Sequence, residues 1–414
     1  MSRSNDLASL ADEATGGITK AEVGLGNVDN TSDANKPVST AQQTALDAKA
    51  PTASTTFTGT VSGVTKTHVG LGNVTNESKA TMFTSPTFTG TTTVADFVSA
   101  TPLSHRNMII NGAMQVAQRG TSTSVGNGGY TFSLDRFGAR ASIGSGHTLS
   151  QDTDAPDGFT NSLKFTVGTG ATPTGTDYVR LLYKFEGYEA VRLQYGQSTA
   201  KTVTLSFWVK SSVAGTFGVG LKHTTARNIV GSYIVSQANT WEYVSVSLVG
   251  DTATAITNET NGEALTLGFD LGEGPDRSRS TGSWAGTSNT QWGLSGGTKI
   301  ISTSSATWQI TGVQLELGSV ATPFEHRSYG DELARCMRYY EKIEPSGSAY
   351  VADNSNASTG GYARINGTYL VPKRATPSSI SGAGFTIGGS TTMYAGYSTT
   401  VTTVFPTIQV IAEL

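Results

Sequence analysis

Residues 201–210 read KTVTLSFWVK, and their period of two decides the fold class. Val203, Leu205, Phe207 and Val209 fall on one face, and Thr204, Ser206 and Trp208 on the other. A strand with one apolar side needs a second layer to cover it. Further strands read over residues 163–167, 217–221, 243–248, 265–271 and 308–317, with turn-rich stretches between them. The pattern predicts an antiparallel, jelly-roll-like β-sandwich over residues 101–343. NMIING at 107–112 opens it, and a short helix in SYGDELARCMRYYEK (328–342) closes it, with Ser328 and Asp331 as a capping pair. Cys336, the single cysteine, reads as a small apolar filler on that helix. Residues 344–414 return to short strands (361–371, 384–387, 401–411) and are expected to form a small C-terminal β tip module.

The first hundred residues have a different texture. They contain no Trp or Tyr, and their aromatics are Phe57, Phe83, Phe88 and Phe97. GLGNV occurs at 24–28 and again at 70–74, and TTFTGTV (55–61) is echoed by TFTGTTTV (87–94). One chain cannot bury enough apolar area here to offset its ordering entropy. Repetition at this scale predicts an elongated stalk, ordered when identical chains share their few apolar side chains. The expected inter-chain contacts are Leu25, Val28, Leu71, Val74, Phe57 and Phe88. One helix is expected over residues 37–49, with Val38, Ala41, Ala45 and Leu46 on a stripe.

Composition removes some function classes. Charged residues make up 14% and the net charge is -3, which speaks against a nucleic-acid partner, since phosphate neutralisation needs clustered Lys and Arg. A single cysteine cannot form a disulfide within one chain. No apolar run approaches the ~20 residues of a membrane span, and the first residues lack the apolar middle of a signal peptide. Synthesis in a cytoplasm without membrane insertion is the expectation.

VGLGNV with NKPVSTAQQTALDAKA after its first copy and SPTFTGT after its second resembles bacteriophage tail fibre proteins. NMIINGAMQ (107–115), YTFSLDRF (130–137) and WQITGVQLELGSVATPFEHRSYGDELARCMRYYEK (308–342) are similar to a β-sandwich carried by many phage and prophage tail proteins. The resemblance implies a parallel homotrimer in the virion tail. Its N-terminal end would meet other tail proteins, and its lectin-like sandwich and C-terminal end would meet a bacterial surface polysaccharide or lipopolysaccharide. The function it implies is host recognition and adsorption. A hundred residues make a short shaft, so the resemblance is to a short fibre or tip.

No catalytic constellation stands out. The five histidines lie far apart with no metal-ligand spacing, and no cofactor-binding motif is complete. Asp152, Asp154 and Asp157 resemble a calcium loop, but the third Asp is one place late and the closing Glu is missing. Neither a cofactor nor a metal is expected. A glycosidase needs two carboxylates on one sugar, and scattered Asp and Glu leave a glycan-cleaving, tailspike-type enzyme as an alternative. A structural connector or collar is another. Sugars stack on flat rings and bond to Asp, Asn or Arg. The glycan candidates are therefore Trp284 and Trp292, with Asp276, Arg277 and Arg279 just upstream. The competing reading tucks both rings into the sandwich, as expected for Trp208, Trp241 and Trp308.

Overall fold

The computed structural model describes residues 21, 24, 37–49, 104–223, 227–286, 291–343, 350–353, 362–382, 386–398 and 407–414. The chain divides into two units, Met1–Ala95 and Asp96–Leu414. In the first, α1 (Thr40–Lys49) fills the expected helix. Ser39 and Gln42 form a capping box: the Gln42 amide donates 3.2 Å to Ser39 Oγ, and the Ser39 amide 3.0 Å to Gln42 Oε1. This fixes the start at Thr40. The Val38/Ala41/Ala45/Leu46 stripe is exposed in the single chain. Leu25, Val28, Phe57, Leu71, Val74 and Phe88 lie outside the described residues.

The second unit begins with β1 (Ser122–Val125), β2 (Thr131–Phe132), β3 (Phe137–Ala141), β4 (His147–Asp152), β5 (Ser162–Thr166) and β6 (Val179–Glu186). A short α2 (Gly187–Ala190) follows. Then come β7 (Val203–Ser211), β8 (Gly215–His223), β9 (Asn228–Val235), β10 (Glu242–Leu248) and β11 (Glu263–Asp270), a small parallel pair β12 (Ser278–Arg279) and β13 (Gly293–Leu294), and β14 (Thr307–Leu317). Two six-stranded antiparallel sheets result. The first runs β1-β4-β5-β14-β7-β10 and the second β2-β3-β6-β11-β8-β9. The expected mainly β, antiparallel sandwich is the fold observed.

Alternation places the core between the sheets. Phe207 meets Tyr233 and Phe269 edge-on at 5.1 and 5.2 Å, and Phe269 meets Trp308 at 5.4 Å. Trp308 is fully buried and its Nε1 donates 3.1 Å to the Tyr233 hydroxyl. A buried indole N–H needs such a partner. β6 (VRLLYKFE) escaped period-two reading because seven of its eight residues are buried, on both faces.

α3 (Tyr329–Met337) closes the sandwich as expected, with Ser328 Oγ accepting from the Asp331 amide at 3.2 Å. Cys336 is buried on it, and burial pushes its thiol up. Next come β15 (Tyr340–Ile343), β16 (Tyr350–Asp353), β17 (Tyr362–Thr368), β18 (Ser379–Ser381), β19 (Thr386–Gly389), β20 (Met393–Ser398) and β21 (Ile408–Ile411). They form a four-stranded sheet, β16-β17-β20-β19, and a three-stranded one, β15-β21-β18. β15 precedes residue 344 yet pairs with β21, Tyr340 facing Ile411. The expected boundary at 343/344 therefore falls inside a sheet, and the expected tip module shares one unit with the sandwich. Charged side chains fasten it there. Arg119 and Arg136 hold Glu413 at 3.0 and 2.8 Å, and the Arg374 guanidinium donates to the carbonyls of Asn261, Ala412 and Glu413.

Burial and charge set a pH dependence. Burial pushes Asp135 up to about 6 against Arg119, Glu189 up to about 7 against Arg136, and Glu273 up to about 8 against Arg180. Each folded acid holds its proton above the pH at which the unfolded chain has lost it. These groups therefore lower stability as pH rises from the ordinary carboxylate range toward 8. Asp152, Asp154, Asp251 and Glu263 are held low, so their contribution is lost as pH falls through the acid range. The melting temperature should peak near about pH 5 and decline toward pH 8. Calorimetry across that range checks this, and a melting temperature that climbs from pH 5 to 8 contradicts it.

Candidate functional site

The loop after β11 sends its two tryptophans to different places, Trp292 onto the outer face of the second sheet and Trp284 into the core. Trp292 lies on Gly268, where a Cβ would stand 2.1 Å from its ring. Gly268 thus leaves room for the indole, and its partner Gly220 on β8 lies beneath the Trp292 carbonyl. Arg180 stands 5.3 Å and Lys222 5.7 Å from the same ring. Arg180 Nη2 donates 2.8 Å to Glu273 Oε2, while its Nε is 2.6 Å from Oε1 but poorly aligned. Trp284 inserts between Tyr195 and His223, each 5.3 Å away, and its Nε1 donates 2.5 Å to the Val249 carbonyl. Trp284 and Trp292 are 7% and 5% exposed.

Arg279 is spent on the fold, donating to the Asn228 carbonyl and side chain at 3.0 Å and to the Ala285 carbonyl at 2.8 Å. Arg277 donates to the Thr176 carbonyl and lies over Tyr178. Asp276 alone of the five is exposed. The structure thus separates the two rings and uses these residues as supports of the fold. It corrects the reading of Trp284 and Trp292 as an open platform: apolar rings facing Gly268 and the Tyr195–His223 pocket leave water, the outcome the competing reading described.

Trp208 and Trp241 are the opposite case. Both were expected inside, and both are half-buried on the outer face of the first sheet. Adjacent strands align Tyr243, Trp208 and Thr311 across β10, β7 and β14. The Trp208 and Tyr243 rings are 5.5 Å apart at 57°, and Tyr243 is 48% exposed. Beside them the loop after β4 presents Asp154. Trp241 Nε1 donates 3.0 Å to Asp154 Oδ1, and Lys210 Nζ 2.6 Å to Oδ2. Hydrogen bonds from Lys210 and Trp241 hold the Asp154 carboxyl below its usual range. Next to it Lys164 Nζ stands 2.9 Å from Asp152 Oδ2. Burial works to raise Asp152, but the Asp154 amide and Lys164 outweigh it and hold it low. The suspected calcium loop is thus an acidic turn whose Asp152 Oδ1 accepts from the Asp154 amide at 2.9 Å. No group of three or more His, Cys, Asp or Glu suited to a metal occurs among the described residues.

The strip therefore offers two flat faces and fixed donors and acceptors at one end. Its signal lay in the sequence: Trp208 is out of phase with Val203, Leu205, Phe207 and Val209, and Tyr243 is out of phase with Val244, Val246 and Leu248. An aromatic on the wet phase of an amphipathic strand faces solvent.

Fold and strip define a β-sandwich with an open, aromatic-bearing face. Solved structures similar to the chain are carbohydrate-binding proteins by their own descriptions. A candidate sugar-binding protein from Bacteroides thetaiotaomicron is 12% identical, with 51% of this chain and 100% of that one covered and a TM-score of 0.32. The family 11 carbohydrate-binding module from Clostridium thermocellum, bound to a mixed-linked tetrasaccharide, is 11% identical, with coverage of 49% and 99% and a TM-score of 0.24. A tandem CBM22 domain from Paenibacillus barcinonensis is 9% identical, with coverage of 77% and 100% and a TM-score of 0.28. No family model and no curated protein sequence matches the chain.

Proposed function

We propose that this chain is a trimeric phage tail fibre protein that adsorbs to a bacterial surface glycan through the outer face of its first sheet. The observation that carries the glycan-binding part is the Trp208–Tyr243 pair beside the Asp154–Lys210–Trp241 cluster. Sugar rings present C–H faces to aromatic planes and hydroxyls to charged groups, and this strip supplies both. The fibre part is supported by the GLGNV repeats and the tail-protein resemblance. Trimerisation is supported by the exposed apolar stripe of α1.

Adhesion accounts for the strip better than hydrolysis does. A glycosidase needs one protonated carboxylic acid beside a second carboxylate. Asp152 and Asp154 are both held ionised and paired, while the raised acids Asp135, Glu189 and Glu273 are buried against arginines. Three weak sites on one fibre gain strength from multivalency.

Incubation with host surface polysaccharide tests the reading. Retention on the polysaccharide without shortened products, by a species of three times the chain mass, is expected. Val38→Lys with Leu46→Lys should lower that mass and weaken retention, while solution affinity for a monovalent oligosaccharide stays unchanged. Shortened products would favour the enzyme, and absence of retention beside tight binding to a tail component would favour the connector.

A further inference from the structure

A second feature touches the strip and extends what it could hold. Residues 243, 245, 247 and 249 share one face of β10 and its continuation, opposite Val244, Val246 and Leu248. Tyr243 ends the aromatic strip, and from Ser245 onward the same face runs into a groove of about 600 Å³. The groove follows the seam between β10, the edge of the first sheet, and β9, the edge of the second. Gly231 brings the two edges together, since a Cβ there would stand 2.5 Å from Val246 Cγ1. The turn at Thr281, Gly282 and Ser283 forms the far wall, tied to β9 by the Gly282 amide on the Val230 carbonyl at 3.3 Å.

The lining has a distinct chemistry. It contains no charged residue. Val249, half-exposed, gives it apolar surface, with Val230, Val246 and Leu248 buried as its floor, and Ser232, Ser245, Ser247, Thr281 and Ser283 contribute five hydroxyls. Among the described residues those hydroxyls are engaged by no other group of the protein. From Tyr243 to Val249 the strand covers about 20 Å, at roughly 3.3 Å per residue. That is the length of several linked sugar rings, and more than one ring on Tyr243 can use.

We infer that the ligand is an extended run of an uncharged linear polysaccharide, lying along β10 from the Trp208–Tyr243 strip into the β9–β10 groove. This rests on the proposed glycan-binding reading and adds the chain length, direction and charge class of the glycan. The apolar surface meets ring C–H faces, and the serines and threonine exchange hydrogen bonds with hydroxyls. An anionic polymer would have to give up its hydration in a groove that offers no cation.

The test uses the full chain and ladders of two to six residues from neutral linear gluco-, manno- and galacto-oligosaccharides, with an anionic uronate ladder as the opposing panel. Titration calorimetry should show affinity for a neutral ladder rising at least about ten-fold from the dimer to the hexamer. Ser247→Trp or Ser232→Tyr, each blocking the groove from an exposed position, should flatten that rise and leave dimer binding unchanged. Circular dichroism melts confirm that each variant folds. A neutral ladder that binds without a length dependence, or a rise that survives both substitutions, overturns the inference and leaves the strip's glycan binding standing. Preference for the uronate ladder also overturns it. Failure of every ladder to bind removes both.

Discussion

Replacing Trp208 and Tyr243 together by alanine is expected to abolish measurable glycan binding while the melting temperature stays close to that of the parent. The two rings are the exposed aromatic surface of the strip, and neither holds up the core. Tyr243 is half-exposed, and Trp208 stands on the outer phase of β7 while Phe207 and Val209 carry the inner one. Each single substitution should weaken binding by at least about ten-fold, or 1.4 kcal/mol, as aromatic anchors do. Asp154→Asn should cost less, because the amide oxygen still accepts from one of the two donors, Trp241 or Lys210. Trp292→Ala makes the control. It uncovers Gly268, Arg180 and Lys222 on the other sheet, so its cost should fall on stability. Binding lost in Trp292→Ala at full stability, and retained in the double variant, would move the site to the second sheet.

The second large effect concerns how the C-terminal strands are held. Lys373 and Glu341 form an ion pair with side-chain exposures of 0% and 1%. Lys373 Nζ also donates to the carbonyls of Met337 and Val371. Lys373→Met leaves Glu341 buried with only the Leu370 amide at 3.2 Å, which should cost about 3–5 kcal/mol. The paired change Lys373→Met with Glu341→Leu should recover most of that loss, because replacing both partners removes the stranded charge. Urea unfolding of the two variants separates the cases. Equal destabilisation by the single and double changes would show that the lysine acts through its carbonyl contacts and not through the carboxylate.

These two sites differ in how far the sequence exposed them. The sandwich was legible because β7, β8, β10, β11 and β14 each carry period-two patterns, and those patterns need a facing layer. β6 was missed because a strand buried on both faces loses that period, and β9 because Val230 and Ile234 put apolar residues on its outer phase, Ile234 being exposed. Trp208 carried its own signal as an aromatic in polar phase, and the high average burial of tryptophan argued against reading it so. Trp284 and Trp292 sat among glycines and serines, where sequence gives no phase. Gly268, which seats Trp292, is on β11 and says nothing of this until the strands pair. Lys373 and Glu341 are 32 residues apart, and they meet because the segment after β17 is tied to the end of α3 by the Arg374 amide on the Arg338 carbonyl at 3.1 Å.

If glycan meets the outer face of the first sheet, the five tryptophans report on it separately. Indole N–H resonances of the nitrogen-labelled protein, followed during titration with a bound oligosaccharide, give the most direct measurement. The Trp208 and Trp241 signals should move with saturation while those of Trp284, Trp292 and Trp308 stay in place. Movement of Trp284 and Trp292 with Trp208 and Trp241 unchanged would contradict it.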